Sequence, residues 1–275
     1  MEFKQRNIKI WNEIAPRYHK RWASVNQGPF QSTAKLIELV NIKKGNSVLD
    51  LACGTGAVTK KIIAKIGTSG HVVGADASIA TIKIAKKWNG VKPNLDFINI
   101  DAEKFNFSQR FDIITCQYAL FFFPNAQKAL KNMRNSLKKT GTLGVSVHGH
   151  KDKVPFYSNI LDAITKFIPD YVPLGSPDLD RFGTKSSLSN EVRKAGFSKI
   201  SIKDFTFSYS PGKFDDYWRN YLKYIAKPLK EKLNALDISK RKELKLAVKQ
   251  NTIPYTKRNS VIVFPWQVLI LTAKY

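Results

Sequence analysis

The chain has 275 residues, 43% of them hydrophobic and 24% charged, which suits a sizeable buried core and excludes a membrane-embedded chain. Its formal net charge of +25 is spread along the sequence: residues 1–150 hold 23 basic and 9 acidic side chains, and residues 151–275 hold 23 and 12. Two cysteines, Cys53 and Cys116, are too few for a disulfide framework, and no cluster has metal-ligand spacing.

The N-terminus lacks the apolar core of a signal peptide, which sets a cytoplasmic location as the expectation. Residues 8–23, IKIWNEIAPRYHKRWA, read as an aromatic-rich helical segment with a turn near Pro16, and residues 1–30 as an entry or lid segment. A helix is expected over 31–42. A βα alternation follows. SVLDLA (47–52) is a strand, and AVTKKIIAKI (57–66) is a helix with Val58, Ile62, Ile63 and Ile66 on one side. HVVGAD (71–76) is a second strand, and Ser78 caps a helix running through Trp88. LDFINI (95–100) and FDIITCQ (111–117) are strands three and four. A helix over 126–139 precedes a fifth strand, TLGVSVHG (142–149).

Beyond residue 150 the pattern loosens. YSNILDAITKFI (157–168) reads as helix, Pro169, Pro173 and Pro177 mark loops, and LSNEVRKAGF is a short helix stopped at Gly196. ISIKDFTFSYS (200–210) alternates like a strand, and 214–251 is helical and basic. VIVFPWQVLILTA (261–273), broken by Pro265 and Gln267, reads as strands rather than a membrane span. The fold class is α/β: a Rossmann-like, doubly wound, mostly parallel seven-stranded sheet with helices on both faces. One domain built on this sheet is expected over 31–275, with cap insertions at about 151–190 and 211–258 over one end of it. A separate small lobe is the alternative.

In such sheets ligands sit at the carboxyl ends of the strands, beside the switch point. The stretch LDLACGTGAVT lies there. Gly54 and Gly56 permit a sharp turn and close approach of a ligand, and the helix from Ala57 points amide donors at it. The dinucleotide fingerprint would have a third glycine where Thr59 stands. Asp50, four residues before Gly54, disfavours a pyrophosphate and favours a cationic ligand; the amino group and sulfonium of S-adenosylmethionine fit. Asp76, ending the second strand, suits ribose hydroxyls. Asp101 and Ala102, after the third, suit an adenine amino group and ring.

With these stretches, and with FDIITCQYALFFFPN and ALKNMRNSLKKTGTL beyond them, the chain resembles the class I S-adenosylmethionine-dependent methyltransferases. Within them it is similar to the small-molecule group that includes the menaquinone and ubiquinone C-methyltransferases. Residues 10–150 carry the likeness. It implies S-adenosylmethionine as cofactor and S-adenosylhomocysteine as product. It implies that Asp50, Ala52, Gly54 and Gly56 shape the methionine end of the site, with Cys53, Thr55, Thr59, Ala77 and Gln117 around it. It further implies Asp76 for the ribose and Asp101 with Ala102 for the adenine. Ala52 stands where the family often has its first glycine.

The expected acceptor is small and apolar or lipid-like, lying past strands four and five. Candidates at that rim are Tyr18, His19, Tyr118, Phe121, Phe122, His148 and His150, of which His148, Tyr18 and His19 are weak catalytic candidates. A nucleic-acid methyltransferase is a second reading, prompted by the charge. Against it, the sequence has no N-P-P-Y-type tetrapeptide, and Thr115 rather than proline precedes Cys116. A silent cofactor-binding module whose basic helices touch an anionic membrane is a third, and a nicotinamide oxidoreductase a fourth.

Overall fold

A computed structural model describes residues 2–172, 178, 180–224 and 227–275. Pro173 and Pro177 lie outside them. The chain forms two compact units. The first comprises Met1–Gly149, Pro177–Phe205 and Val268–Tyr275, and the second His150–Ser176 and Thr206–Gln267.

The first unit is built on the sheet. The sheet's strands are β1 (Ser47–Leu51), β2 (His71–Asp76), β3 (Leu95–Asn99), β4 (Phe111–Gln117), β5 (Leu137–His148), β6 (Ser198–Lys213) and β7 (Val261–Lys274), in the order β3-β2-β1-β4-β5-β7-β6; β6 as far as Phe205 and β7 from Val268 belong to the first unit, and the rest of both to the second. β1 pairs in parallel with both β2 and β4, so the strand order reverses beside it. β7 returns antiparallel to β5. The strand residues Val48, Leu49, Leu51, Ile113, Ile114, Cys116, Val145 and Val147 are all buried, as a sheet covered on both faces requires.

Helices α1 (Glu2–Tyr18), α2 (Thr33–Leu39), α3 (Ala57–Ile66), α4 (Ile79–Asn89), α5 (Ala126–Ser136) and α7 (Lys185–Lys194) belong to this unit, and α6 (Pro155–Phe167), α8 (Phe214–Tyr224), α9 (Lys227–Ala235) and α10 (Ile238–Thr252) to the second. Local chemistry sets several helix starts. Ser78 Oγ accepts from the Thr81 N–H at 3.2 Å, and Asn125 Oδ1 accepts from the Lys128 N–H at 2.9 Å. Thr184 and Ser187 form a reciprocal capping box.

The structure departs from sequence reading in three places. No turn forms at Pro16, which sits inside α1; the chain then continues as a wider π-turn over His19–Ala23. A proline near a helix end removes one donor there, and buried Ala15, Trp22 and Ala23 hold the path. The fifth helix stops at Ser136 because Leu137, 2% exposed, turns inward to pair with Phe111; β5 therefore starts five residues earlier than expected. Residues 261–274 form one strand despite Pro265.

The second unit has an aromatic core. Phe156 stacks on Trp266 at 5.3 Å and meets Tyr217 and Tyr209 edgewise or tilted, and Tyr217, fully buried, donates its hydroxyl to the Phe156 carbonyl. Among the described residues no helix is long and apolar enough to cross a membrane.

Candidate active site

A cavity of the first unit opens where β1, β2, β3 and β4 end. The backbone at its floor is unusual. Ala52, Gly54 and Gly56 alternate into the left-handed region, with φ of 55°, 54° and 82°. A Cβ on Gly54 would meet nothing within 4 Å, whereas one on Gly56 would lie 2.5 Å from Asn89 Nδ2. Gly54 thus leaves open space toward the cavity, and Gly56 permits close packing of α3's start against α4. Ala52 and Tyr118, the latter at φ 55°, are strained residues directly after β1 and β4, at the switch point.

Four carboxylates surround this floor. Asp50 is 1% exposed and accepts from the Thr59 hydroxyl at 2.5 Å and the Thr115 hydroxyl at 2.8 Å. Burial pushes its pKa up to about 6, against the pull of those two donors. Asp76 ties two loops together: its Oδ2 accepts from the Gly54 N–H and its Oδ1 from the Ser78 N–H, each at 2.8 Å. Burial raises its pKa as well. Asp101 Oδ1 accepts from the Glu103 N–H, and Lys4 of α1 bridges Asp101 at 3.0 Å and Glu103 at 2.5 Å.

Part of the cavity wall is aromatic. Trp11, Tyr18, Phe30, Tyr118, Phe122 and Phe123 line it. Trp11 sits edge-on to Tyr18 at 5.1 Å and to Phe122 at 5.5 Å, and Tyr18 edge-on to Phe30 at 6.0 Å. Arg181 donates to the carbonyls of Leu120 and Phe123, pinning the turn that carries Phe122.

Of the expected cofactor residues, Asp50, Ala52, Cys53, Gly54, Thr55, Asp76, Ala77, Asp101, Ala102 and Gln117 line the cavity together. Gly56 and Thr59 lie behind it, Thr59 acting on Asp50. Gln117, 8% exposed, donates its amide to the Pro29 carbonyl and Thr33 Oγ1, which leaves Oε1 buried without a partner. The Pro29 carbonyl can only accept, so the amide orientation is fixed by the network.

The three catalytic candidates, Tyr18, His19 and His148, are not brought together. Tyr18 lines the cavity, and burial drives its hydroxyl pKa above the ordinary value, so it stays protonated. His19 stands outside the lining, its Nδ1 2.8 Å from Thr55 Oγ1 and its ring 4.6 Å from Trp88; burial, then Lys60, lowers its pKa. His148 is also outside the lining. It is 5% exposed against Phe121, its Nδ1 lies 2.8 Å from the Gly149 carbonyl, and burial brings its pKa down to about 4. Phe121 lies beneath the wall rather than on it, and His150 pairs with Asp152 in the second unit.

Sequence reading missed Lys4, Asn7, Ile8 and Trp11 of α1 and Glu103 after β3. Ile8, Trp11, Ala15 and Tyr18 follow helical spacing, and that stripe was the available signal. Nothing local announces Lys4, whose partners are 97 and 99 residues away.

Comparison with known proteins decides the family. A family model described as a methyltransferase domain matches residues 42–172. The ubiquinone/menaquinone biosynthesis C-methyltransferase of Ectopseudomonas mendocina is 30% identical over 185 residues, covering 62% of this chain and 72% of that protein. The chain belongs to the class I S-adenosylmethionine-dependent methyltransferases. This methyltransferase also matches the demethylmenaquinone methyltransferase of Staphylococcus epidermidis, 25% identical over 214 residues, 74% of this chain and 84% of that one. In structure it is similar to a Bacillus halodurans protein, with a TM-score of 0.59 at 19% identity over 89% of this chain and 98% of the other, which shows the shared fold. S-adenosylmethionine is the cofactor of the methyltransferase, and the residues present fit it: four carboxylates line the cavity, and a buried acceptor, Gln117 Oε1, lacks a donor.

Proposed function

We propose that this methyltransferase holds its cofactor along the ends of β1, β2 and β3 and methylates a small, apolar, lipid-like acceptor seated against the aromatic wall. The observation that carries the reading is one cavity lined both by carboxylates (Asp50, Asp76, Asp101, Glu103) and by aromatic rings in mutual contact (Trp11, Tyr18, Phe30, Phe122). The names of the relatives, quinone C-methyltransferases, support the acceptor class.

When bound, S-adenosylmethionine supplies an activated methyl group on a sulfonium. Asp50, charged near neutrality, receives the ammonium of its methionine end, with Gln117 Oε1 as a further acceptor. Asp76 receives the ribose hydroxyls through the lone pairs not used by Gly54 and Ser78. Asp101 receives the adenine amino group beside Ala102. The backbone at Ala52–Gly54 allows the closest approach. Trp11, Tyr18 and Phe122 exclude water and hold the acceptor in line behind the methyl carbon, and most of the rate comes from that positioning.

The segment 1–30 acts as a lid in this scheme. Lys4 latches it to Asp101 and Glu103, and Asn12 Oδ1 accepts from the Ser78 hydroxyl and the Ala80 N–H. The test is release of S-adenosylhomocysteine by the purified protein with a reduced prenylated quinol, a short unprenylated phenol, and an unmodified RNA. Turnover with the prenylated quinol well above the others is expected. Turnover with RNA alone would overturn the acceptor class in favour of the nucleic-acid reading.

A further inference from the structure

The second unit presents a surface unrelated to the cavity. Helix α10 buries Leu244, Val248 and Thr252 and turns the neighbouring side, about a third of a turn around, outward. On that side stand Ile238, Leu246 and Ile253, the last one residue past the helix, with exposures of 65%, 56% and 66%. They are three of the eight exposed large hydrophobic residues described in the whole chain. Lone exposed aliphatics are ordinary, but three on one short face need a reason.

Lys242, Lys245 and Lys249 share the face. At 3.6 residues per turn, the six side chains project within about 100° of arc, aliphatic and basic interleaved. Lys245 is half-buried and pairs with Asp215 at 2.8 Å, and Lys242 and Lys249 are exposed. Helix α10 as a whole holds five basic residues and one acid, Glu243, which meets Ser239.

We propose that this face docks on a bilayer containing anionic phospholipid. Lysine alone would suit any polyanion. The interleaved aliphatics select a surface that offers an apolar layer directly beneath its phosphates, and a bilayer interface is such a surface. Lysine stems lie along that layer while their ammonium groups stay at the phosphates. Nucleic acid supplies phosphates without an apolar layer, and would leave Ile238, Leu246 and Ile253 in water. The proposal needs neither cofactor nor acceptor, so it stands or falls separately from the acceptor reading.

The experiment is flotation of the full chain with vesicles of phosphatidylcholine alone and of phosphatidylcholine with 30% phosphatidylglycerol. Two variants are compared, K242Q/K245Q/K249Q and I238S/L246S/I253S. Every altered side chain but the half-buried Lys245 is exposed, and circular dichroism checks that both variants fold. Binding to the anionic vesicles and not to the neutral ones is expected. At about fivefold per lysine near the surface, the lysine variant should lose on the order of a hundredfold in partitioning. The aliphatic variant should lose at least about tenfold. Equal binding to both vesicle types, or no binding to either, would overturn the proposal. Full binding by the aliphatic variant would overturn it too, as would displacement of bound vesicles by an equal mass of RNA.

Discussion

Replacing Asp50 by asparagine keeps the shape of the side chain and removes its charge. Asp50 is buried beneath the cavity floor, and its pKa rises from 3.8 to about 6, first through burial and against the hydroxyls of Thr59 and Thr115. A carboxyl whose pKa rises on folding binds its proton more tightly in the folded chain. Folded stability therefore falls as pH climbs from the unfolded pKa through about 6, and is level above that. The whole rise corresponds to about 3 kcal/mol. Nearly half of it develops between pH 5 and pH 8. Asparagine carries no such penalty, but its amide nitrogen cannot accept from the second threonine, which costs about 1 kcal/mol at every pH. Without cofactor, D50N should thus be more stable than the parent by on the order of 2 kcal/mol at pH 8, an advantage that shrinks toward pH 5. Denaturant titrations at the two pH values read the difference directly. A variant less stable than the parent at pH 8, or an advantage that does not grow with pH, would refute the reasoning. The same variant should bind S-adenosylmethionine at least tenfold more weakly, a site residue held at the expense of stability.

The two glycines of the floor should separate. Gly54→Ala adds a Cβ where nothing lies within 4 Å, so it should cost only the left-handed strain of about 1–2 kcal/mol while weakening cofactor binding by more than tenfold. Gly56→Ala meets Asn89 and should lower thermal stability further, in a melting experiment, than Gly54→Ala does. His148, neutral when folded with its pKa down to about 4, makes stability fall as pH drops from about 6.5 toward 4; His148→Gln should flatten that limb in acid titrations and leave the pH profile of turnover between 6 and 8 unchanged in shape. Lys4→Ala should speed both cofactor association and dissociation severalfold in stopped-flow measurements, and hasten proteolysis within α1; unchanged rates would remove the latch.

The floor of the site was legible because its signals are local. A buried strand, two glycines and an acid at each of three strand ends lie within short stretches, and β2, β4 and α3 have the expected bounds to the residue. The wall was not legible, because it is assembled at long range. Lys4 reaches Asp101 across 97 residues, and Phe122 is placed by Arg181, 59 positions later in the chain. Positive φ at Ala52 and Tyr118 also escaped notice, since neither residue type advertises it. Pro16 misled in the opposite direction: local chemistry asks for a break there, and the packing of Ala15, Trp22 and Ala23 overrides it.

The most direct measurement is calorimetric titration of the full chain with S-adenosylmethionine, with S-adenosylhomocysteine, and with NADH, repeated on Asp76→Ala. Asp76 holds the β1 and β2 loops through Gly54 and Ser78 and stands where the ribose is proposed to lie. Binding of both sulfur ligands, none of NADH, and loss of at least a hundredfold in affinity in the variant is the expected result. Undiminished binding by Asp76→Ala would contradict the placement of the cofactor at these strand ends.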